Sequence, residues 1–177
     1  MSKTIRRDLV LIAGLFSLIG CGGSGDKPAV PPPAAPTTAA ADAGAPSGQN
    51  PALIAAGRDE YFICQTCHME NGEGVAGTYP PLAGSEIVNG PPDPMIAIVL
   101  HGLQGPVTVK GQVYNNIMAP WGSLGDDQIA AVVSYVRASF GNSASSITPQ
   151  DVAAVRQATA SRTDLWTIDE LHRATLR

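Results

Sequence analysis

Five consecutive residues, Cys64-Gln65-Thr66-Cys67-His68, constrain this chain more than any other feature of its sequence. Cys-x-x-Cys-His is the attachment motif for a c-type haem. The two thiols are spaced to form thioether bonds with the two vinyl groups of one porphyrin. The histidine that follows then lies under the ring, where its imidazole can bind the iron. The motif therefore predicts a covalent haem at Cys64 and Cys67, with His68 as an iron ligand.

Three other uses of a Cys-x-x-Cys pair compete with haem: a redox dithiol, half of a zinc site and a disulfide. A redox dithiol is expected beside a βαβ unit, which the sequence does not show. A four-ligand zinc site needs a second Cys or His pair, and the remaining histidines, His101 and His172, stand alone. A lone histidine at a helix end, such as His101, is more often a structural hydrogen-bonding group than an iron ligand. Haem attachment is thus the strongest interpretation of the motif.

The composition favours a small acidic domain around that cofactor. Aromatic residues make up 5% of the 177 residues, so the apolar core is thin, and a domain of about ninety residues gains from burying a large planar group. Residues 51–141 carry three basic and eight acidic side chains. This charge balance argues against binding to nucleic acid and predicts encounters with basic patches on partner proteins.

The N-terminal residues predict export and a lipid anchor. Three basic residues precede an uncharged run of twelve, which is too short to span a bilayer and is typical of a signal peptide over residues 1–20. The run ends in Leu-Ile-Gly-Cys21, which resembles the bacterial lipoprotein cleavage box. Cys21 would then be lipidated and hold the protein at the periplasmic or outer face of a bacterial membrane. The alternative is an ordinary signal peptide that leaves Cys21 as a spare thiol.

Residues 21–50 consist mainly of Gly, Pro, Ala and small polar residues. Such a segment cannot bury enough apolar surface to fold, so it is predicted to be a disordered tether. Folded sequence is expected from Asn50-Pro51, since Asn is a favoured N-cap and Pro is favoured at the first helical position. The helix that starts there leads directly into the cysteine motif.

Local signals beyond the motif predict two helices and a hairpin. The apolar run after Asp93-Pro94 indicates a short buried helix, capped by Asp93 and ending at His101-Gly102. Alternating residues on both sides of Lys110-Gly111 indicate a hairpin. An amphipathic helix with acidic residues in its first turn opens at Gly125 and is expected to end at Gly141-Asn142.

Met118 lies in a loop fifty residues after His68, about right to approach the far face of a haem. Methionine is more commonly a filler of apolar cores. The loop position, the absence of helical neighbours and the adjacent Pro120 and Trp121 favour iron ligation over that alternative.

The stretch from about Pro51 to Asn142 resembles class I cytochromes c, particularly the bacterial single-haem domains. The shared pattern is a hairpin, Y-N-x-x-M-x-P-W, an acidic turn and then I-A-A-V-x-x-Y-V-R. The resemblance implies an all-α class I cytochrome c fold over residues 51–142, with a small hairpin before the loop of the distal ligand. It also implies that the N- and C-terminal helices cross near Gly57, Tyr61 and Tyr135.

For the cofactor, the resemblance implies one covalent haem c with His68 as the proximal and Met118 as the distal iron ligand. The Pro80 carbonyl would accept a hydrogen bond from the His68 ring and so orient the imidazole. Leu82 would pack on the haem, and Trp121 would belong to the haem environment. The implied function is electron transfer by Fe(II)/Fe(III) cycling, not enzymatic catalysis, with a dehydrogenase, a quinol-oxidising complex or a terminal oxidase as redox partner.

Two other functions are compatible with the sequence. A haem enzyme or gas-binding cytochrome would keep an open iron site, which requires that Met118 does not bind iron. A fixed electron-transfer subunit of a respiratory membrane complex would use residues 143–177 for docking. Helix starts at Thr148-Pro149 and at the capping box Thr167-x-x-Glu170 predict a short helical extension there, which either folds back over the domain or binds a partner.

Overall fold

A computed structural model describes residues 48–177. The predicted signal peptide, Cys21 and nearly all of the predicted tether lie outside the described residues. The described part is all-α apart from one two-stranded hairpin. Its helices and strands are α1 Pro51–Glu60, α2 Gln65–His68, α3 Glu86–Asn89, α4 Pro92–His101, β1 Val107–Val109, β2 Gln112–Tyr114, α5 Asp126–Ala138, α6 Pro149–Ala158 and α7 Ile168–Arg173. Between residues 48 and 177, no helix has the length and apolar character needed to cross a bilayer.

Helix α1 begins as the sequence predicts and delivers the cysteine motif. The Asn50 side chain accepts hydrogen bonds from the backbone N–H groups of Ala52 at 3.0 Å and Leu53 at 3.3 Å. After Glu60 the chain tightens into one turn of 3₁₀ helix, Tyr61–Ile63, and α2 follows at once. Cys64 therefore lies at the junction of two helical turns, which fixes the direction in which the motif enters the domain.

Helices α1 and α5 cross at Gly57, which is buried. A Cβ atom at this position would overlap the carbonyl group of Ala131 and would lie 2.7 Å from the Cβ of Tyr135. Beside the crossing, the ring centroid of Tyr61 is 5.4 Å from that of Tyr135. The crossing near Gly57, Tyr61 and Tyr135 is confirmed, and its closeness depends on the missing side chain.

The Tyr61 hydroxyl joins this crossing to the motif. The side chain is 3% exposed, and its hydroxyl donates a hydrogen bond to the carbonyl oxygen of Met69 at 2.8 Å. Burial raises the pKa of Tyr61 far above its usual value, with the Cys64 thiol adding to the effect. A neutral phenol therefore holds the backbone directly after the motif against the helix crossing.

The predicted start of helix α4 is wrong. Helix α4 has Pro91 as its N-cap, and Asp93 lies inside the first turn, where its carboxylate contacts the Arg177 guanidinium at 2.7 Å. Proline presets the φ angle for the first helical turn, so the run of prolines starts the helix earlier than a capping carboxylate would.

Helix α5 ends at Ala138, before the predicted Gly141-Asn142, because Ser139 is already extended. The Asn142 side chain binds one carbonyl group near the end of α5 and one carbonyl group of the segment after the motif. Its amide donates to Val136 at 2.9 Å and to Leu82 at 3.1 Å. A side-chain amide thus links the end of α5 to the segment after the motif.

The hairpin forms where it is predicted. Val107 pairs with Tyr114 and Val109 with Gln112 in antiparallel register. The two turn residues, Lys110 and Gly111, both have positive φ, 50° and 76°, as a two-residue hairpin turn requires. The buried valines of β1 face the interior. The hairpin leads the chain into residues 115–121, called here the Met118 segment.

The extension, residues 143–177, folds back over the domain. Val152 and Val155 of α6 are fully buried, and Trp166 and Leu171 are 7% and 4% exposed. Thr148 and Thr167 cap α6 and α7 as predicted, each accepting a hydrogen bond from the backbone three residues later. The extension therefore shares one apolar core with the rest of the described chain.

Arg137 of α5 is buried, and no carboxylate between residues 48 and 177 forms a salt bridge with it. It is 3% exposed, and its guanidinium donates to the carbonyl oxygens of Val88 at 2.7 Å, Gly90 at 3.0 Å and Ser145 at 2.8 Å. The charge is thus stabilised by carbonyl dipoles of two separate segments, residues 88–90 and Ser145. One of the three basic groups of the domain is consequently absent from its surface.

Candidate haem site

An apolar cleft lies between the cysteine motif, α4, the hairpin and the Met118 segment. The cavity within it has a volume of about 100 Å³ and is partly open to solvent. Its walls include aliphatic side chains from α4, β1 and α5, among them Ile98, Val107 and Val133, together with Leu103. The cleft can therefore take a large flat apolar group and keep water from it.

The motif residues Cys64, Cys67 and His68 line an adjoining part of this cleft. Backbone hydrogen bonds from Cys67 (3.2 Å) and His68 (3.0 Å) to the Cys64 carbonyl close the helical turn that brings the three side chains to one site. Both cysteines are half-buried and are free thiols, not a disulfide. Burial, with a contribution from Cys67, raises the pKa of the Cys64 thiol to about 11.

The His68 ring is held in one tautomer. Its Nδ1 lies 3.0 Å from the carbonyl oxygen of Pro80, and because a carbonyl only accepts, Nδ1 must donate. Nε2 is then unprotonated and keeps its lone pair for a metal. Burial lowers the pKa of His68, against the opposing effect of the Pro80 hydrogen bond. A neutral imidazole with a free Nε2 is the form that binds iron.

Gly74 allows Pro80 to come this close. It has a φ of 63°, and a Cβ atom there would lie 2.7 Å from the Pro80 carbonyl oxygen. The Gly74 N–H also donates to the His68 carbonyl at 3.0 Å. Sequence reasoning missed this residue, although a glycine in the Asn-Gly-Glu-Gly stretch after the motif is a turn signal that could have indicated it.

Met118 lines the same cleft as Cys64 and His68. Its backbone is paired with Leu103: the Met118 N–H donates to the Leu103 carbonyl at 2.9 Å, and the Leu103 N–H returns a bond of 3.1 Å. Three residues later, the Trp121 N–H donates to the Val99 carbonyl at 2.8 Å. The segment that carries Met118 is thus fixed to α4 and to the residues directly after it.

The other predicted cofactor-environment residues, Pro80, Leu82 and Trp121, also line the cleft. His101 is not among the residues that line it. Its Nε2 lies 2.8 Å from the Thr159 hydroxyl and its ring meets the edge of Trp166 at 6.5 Å, so it has the structural role that the sequence favoured. Leu103 was not singled out by sequence reasoning, because an isolated leucine after a glycine carries no local signal of a pairing role.

These residues fit a covalently attached haem. Two free thiols, an imidazole with an available Nε2 and a methionine thioether line one cleft with apolar walls. Thioether and imidazole are the donor types that hold iron in cytochromes c. The remaining side chains that line the cleft are mostly apolar, and none of them is Asp, Glu, Lys or Arg.

Comparison with known proteins identifies this domain. Residues 54–140 match the family model described as Cytochrome c. Cytochrome c-552 of Thermus thermophilus is 41% identical over 86 residues, which is 46% of this chain and 66% of the relative. The cytochrome c subunit of alcohol dehydrogenase (quinone) from Gluconacetobacter polyoxogenes is 35% identical over 105 residues, 56% of this chain and 22% of the relative.

A third relative is the gluconate 2-dehydrogenase cytochrome c subunit of Pantoea cypripedii, 37% identical over 98 residues, 53% of this chain and 22% of the relative. The chain thus spans 66% of the length of the first relative and 22% of the other two. The extension lies outside the family match, which ends at residue 140.

Cytochrome c domains bind haem c covalently, and Cys64 and Cys67 occupy the two cysteine positions of the attachment motif. The match supports electron transfer as the role of the domain. The all-α fold with crossed terminal helices agrees with this assignment. The chain therefore belongs to the class I c-type cytochromes, through the domain at residues 54–140.

Proposed function

We propose that this protein is a membrane-tethered, single-haem electron carrier with His68 and Met118 as the two axial iron ligands. The observation that carries the proposal is the placement of Met118 in the same apolar cleft as Cys64 and His68. When bound, the haem supplies one-electron cycling between Fe(III) and Fe(II). With both axial positions filled by side chains, no iron position remains for a substrate, so the protein is a carrier and not an enzyme.

Four features of the protein tune this chemistry. Cys64 and Cys67 hold the porphyrin in place, and the Pro80 carbonyl orients the His68 ring through a 3.0 Å hydrogen bond. Methionine sulfur is a soft ligand that favours Fe(II), which raises the potential relative to two histidines. The aliphatic walls of the cleft exclude water, so little solvent reorganises when the charge on the site changes.

Carbon monoxide separates this proposal from the open-site alternative. We expect the oxidised wild-type protein to show a methionine-to-iron charge-transfer band, and the reduced protein not to bind carbon monoxide at neutral pH, because Met118 occupies the position that the gas needs. Visible absorbance spectra measure both. Rapid binding of carbon monoxide together with absence of the band would favour a gas-binding cytochrome or haem enzyme instead.

The surface charge supports basic redox partners. Residues 51–141 carry three basic side chains against eight acidic ones, and one of the three, Arg137, is only 3% exposed. Ile117, which lines the same part of the cleft as Cys67, is 63% exposed. An exposed apolar side chain on an acidic domain suits transient docking to a partner with a basic patch, where charge steers the encounter. We propose that the redox partner is a dehydrogenase, a quinol-oxidising complex or a terminal oxidase.

A second candidate, a fixed subunit of a membrane dehydrogenase complex, is favoured by the relatives that are named cytochrome c subunits of dehydrogenases. The two candidates differ in assembly. Detergent extraction of the full-length protein followed by size separation should recover the free carrier alone. Co-migration of the haem with larger proteins at both low and high salt would support the subunit.

The anchor at Cys21 belongs to the same proposal. Residues 1–20 would be removed as a signal peptide, Cys21 would carry lipid, and residues 21–50 would tether the domain on the periplasmic or outer side of the membrane. We expect Cys21→Ser to move the haem protein from the membrane fraction to the soluble periplasmic fraction without changing its visible spectrum. Continued membrane association of the Ser variant would contradict lipid anchoring.

A further inference from the structure

The extension reaches the Met118 segment through the backbone of residues 102–104. On one side, Leu103 exchanges hydrogen bonds of 2.9 and 3.1 Å with Met118. On the other side, the Trp166 N–H donates to the Gly102 carbonyl at 3.1 Å, and the Gln104 N–H donates to the Trp166 carbonyl at 2.8 Å. The residues that pair with Met118 are thus themselves paired with the extension.

Gly102 shows how closely these three segments pack. Its φ is 79°, and a Cβ atom there would lie 2.5 Å from the Met118 carbonyl oxygen and would overlap the Leu165 side chain. No space remains for a Gly102 side chain between the Met118 carbonyl group and the Leu165 side chain. A displacement of residues 165–166 is therefore transmitted to the backbone of Met118.

Arg156 of α6 makes a second, independent contact. The loop from Met118 to Gly125, called here the Met118 loop, has no regular secondary structure apart from the Leu103 bridge. The Arg156 guanidinium donates to the carbonyl oxygens of Gly122 at 2.6 Å and Leu124 at 2.8 Å, and to the Asp126 carboxylate at 2.8 Å. One planar group thus fixes the end of the loop and the first residue of α5.

The parts of the extension that make these contacts are themselves rigidly held. Val152 and Val155, which precede Arg156 in α6, are fully buried. The Trp166 ring is 7% exposed, and the Arg162 guanidinium lies 3.5 Å from its centroid. Both contact points therefore rest on packed elements instead of on mobile chain.

We propose that the extension is a latch that keeps the Met118 loop closed, with Arg156 as a positioning residue for the iron ligand. The inference rests on the proposed ligation of iron by Met118. An external ligand reaches the iron only after Met118 leaves, which requires the loop to open. The apparent dissociation constant of the external ligand equals its intrinsic dissociation constant divided by the fraction of molecules with an open loop. A latch that lowers this fraction therefore weakens binding of the external ligand in proportion.

Imidazole binding to the oxidised, full-length haem protein tests the latch. We expect Arg156→Met to lower the dissociation constant of imidazole on the order of tenfold, because the loop loses both carbonyl contacts and opens more often. Arg156→Lys keeps the charge but not the planar set of donors, so it should lie between wild type and Met. The measurement is a visible titration at fixed pH and salt, with the free energy of unfolding determined in parallel.

Arg177→Met is the matched control. Arg177 also orders the extension, through Asp93 at 2.7 Å and Asp151 at 2.5 Å, but it contacts no residue of the Met118 loop. We expect its imidazole constant to equal that of wild type. If Arg156→Met fails to accumulate, Asp126→Asn removes the charge from one of the three partners of Arg156. It should shift the constant in the same direction by a smaller factor.

The Met118→Ala background provides the decisive comparison. With no methionine to displace, Arg156→Met should leave imidazole affinity unchanged, and persistence of the tenfold effect there would overturn the latch. An unchanged constant for Arg156→Met in the wild-type background would overturn it as well, as would an equal change for Arg177→Met. Absence of the charge-transfer band in the wild type would instead refute iron ligation by Met118, and the latch with it.

Discussion

Replacing Met118 by Leu is expected to abolish the methionine-to-iron charge-transfer band and to lower the reduction potential on the order of 0.1–0.3 V, out of the span of about 0.8 V that axial ligands cover. Leucine keeps the size and apolar character of the side chain but removes the sulfur, so packing in the cleft changes little. Loss of a soft ligand that favours Fe(II) shifts the equilibrium toward Fe(III). Visible spectroscopy and a redox titration measure the two effects.

Met95 provides the matched control for this substitution. It lines the same cleft from α4 and is 7% exposed. Met95→Leu should keep the band and the potential and should alter only the stability, by less than about 1.5 kcal/mol. If Met95→Leu lost the charge-transfer band and Met118→Leu kept it, Met95 and not Met118 would be the iron ligand.

Replacing Gly57 by Ala is expected to lower the free energy of unfolding by about 3 kcal/mol. In an ordinary helix this change stabilises by about 1 kcal/mol, so the expected sign is reversed. The added methyl group would overlap the Ala131 carbonyl and would lie 2.7 Å from the Tyr135 Cβ. The Ala131 carbonyl is backbone and cannot change rotamer to relieve the overlap, so helices α1 and α5 must move apart.

Denaturant unfolding of the haem-containing protein measures this loss. Ala56→Gly, at an exposed position of the same helix, is the control and should cost about 1 kcal/mol by helix propensity alone. Equal stability of Gly57→Ala and wild type would show that the crossing is looser than the structure describes. Because α1 continues through Tyr61 into Cys64, we also expect the Gly57 variant to incorporate less haem.

Elements with local signals were predicted well. Asn50-Pro51, Lys110-Gly111, Thr148 and Thr167 each act on neighbours within a few residues, so their effect is already present in the sequence. The predicted cap at Asp93 failed because the prolines before it start the helix earlier. The Asp93 carboxylate instead binds the Arg177 side chain, which lies 84 positions away in sequence. Long-range contacts of this kind have no local pattern.

The cleft shows the same division between local and distant information. The pairing of His68 with Pro80 was expected from the resemblance, and the 3.0 Å contact agrees with it. The close approach that Gly74 permits was not expected, because it depends on the φ angle of a turn and not on residue type alone. The burial of Arg137 was also unforeseen, since its partners are carbonyl oxygens, which every residue carries.

The sequence by itself determined that haem is attached at Cys64 and Cys67, with His68 beside it, because thioether chemistry requires that spacing over five residues. Only the tertiary structure decided how Met118 is held and where the extension goes. Leu103 pairs with both Met118 and Trp166, and Arg156 reaches back 34 positions to Gly122. Backbone pairing and carbonyl contacts between distant segments leave no mark in residue type, so folding alone joins the extension to the proposed iron ligand.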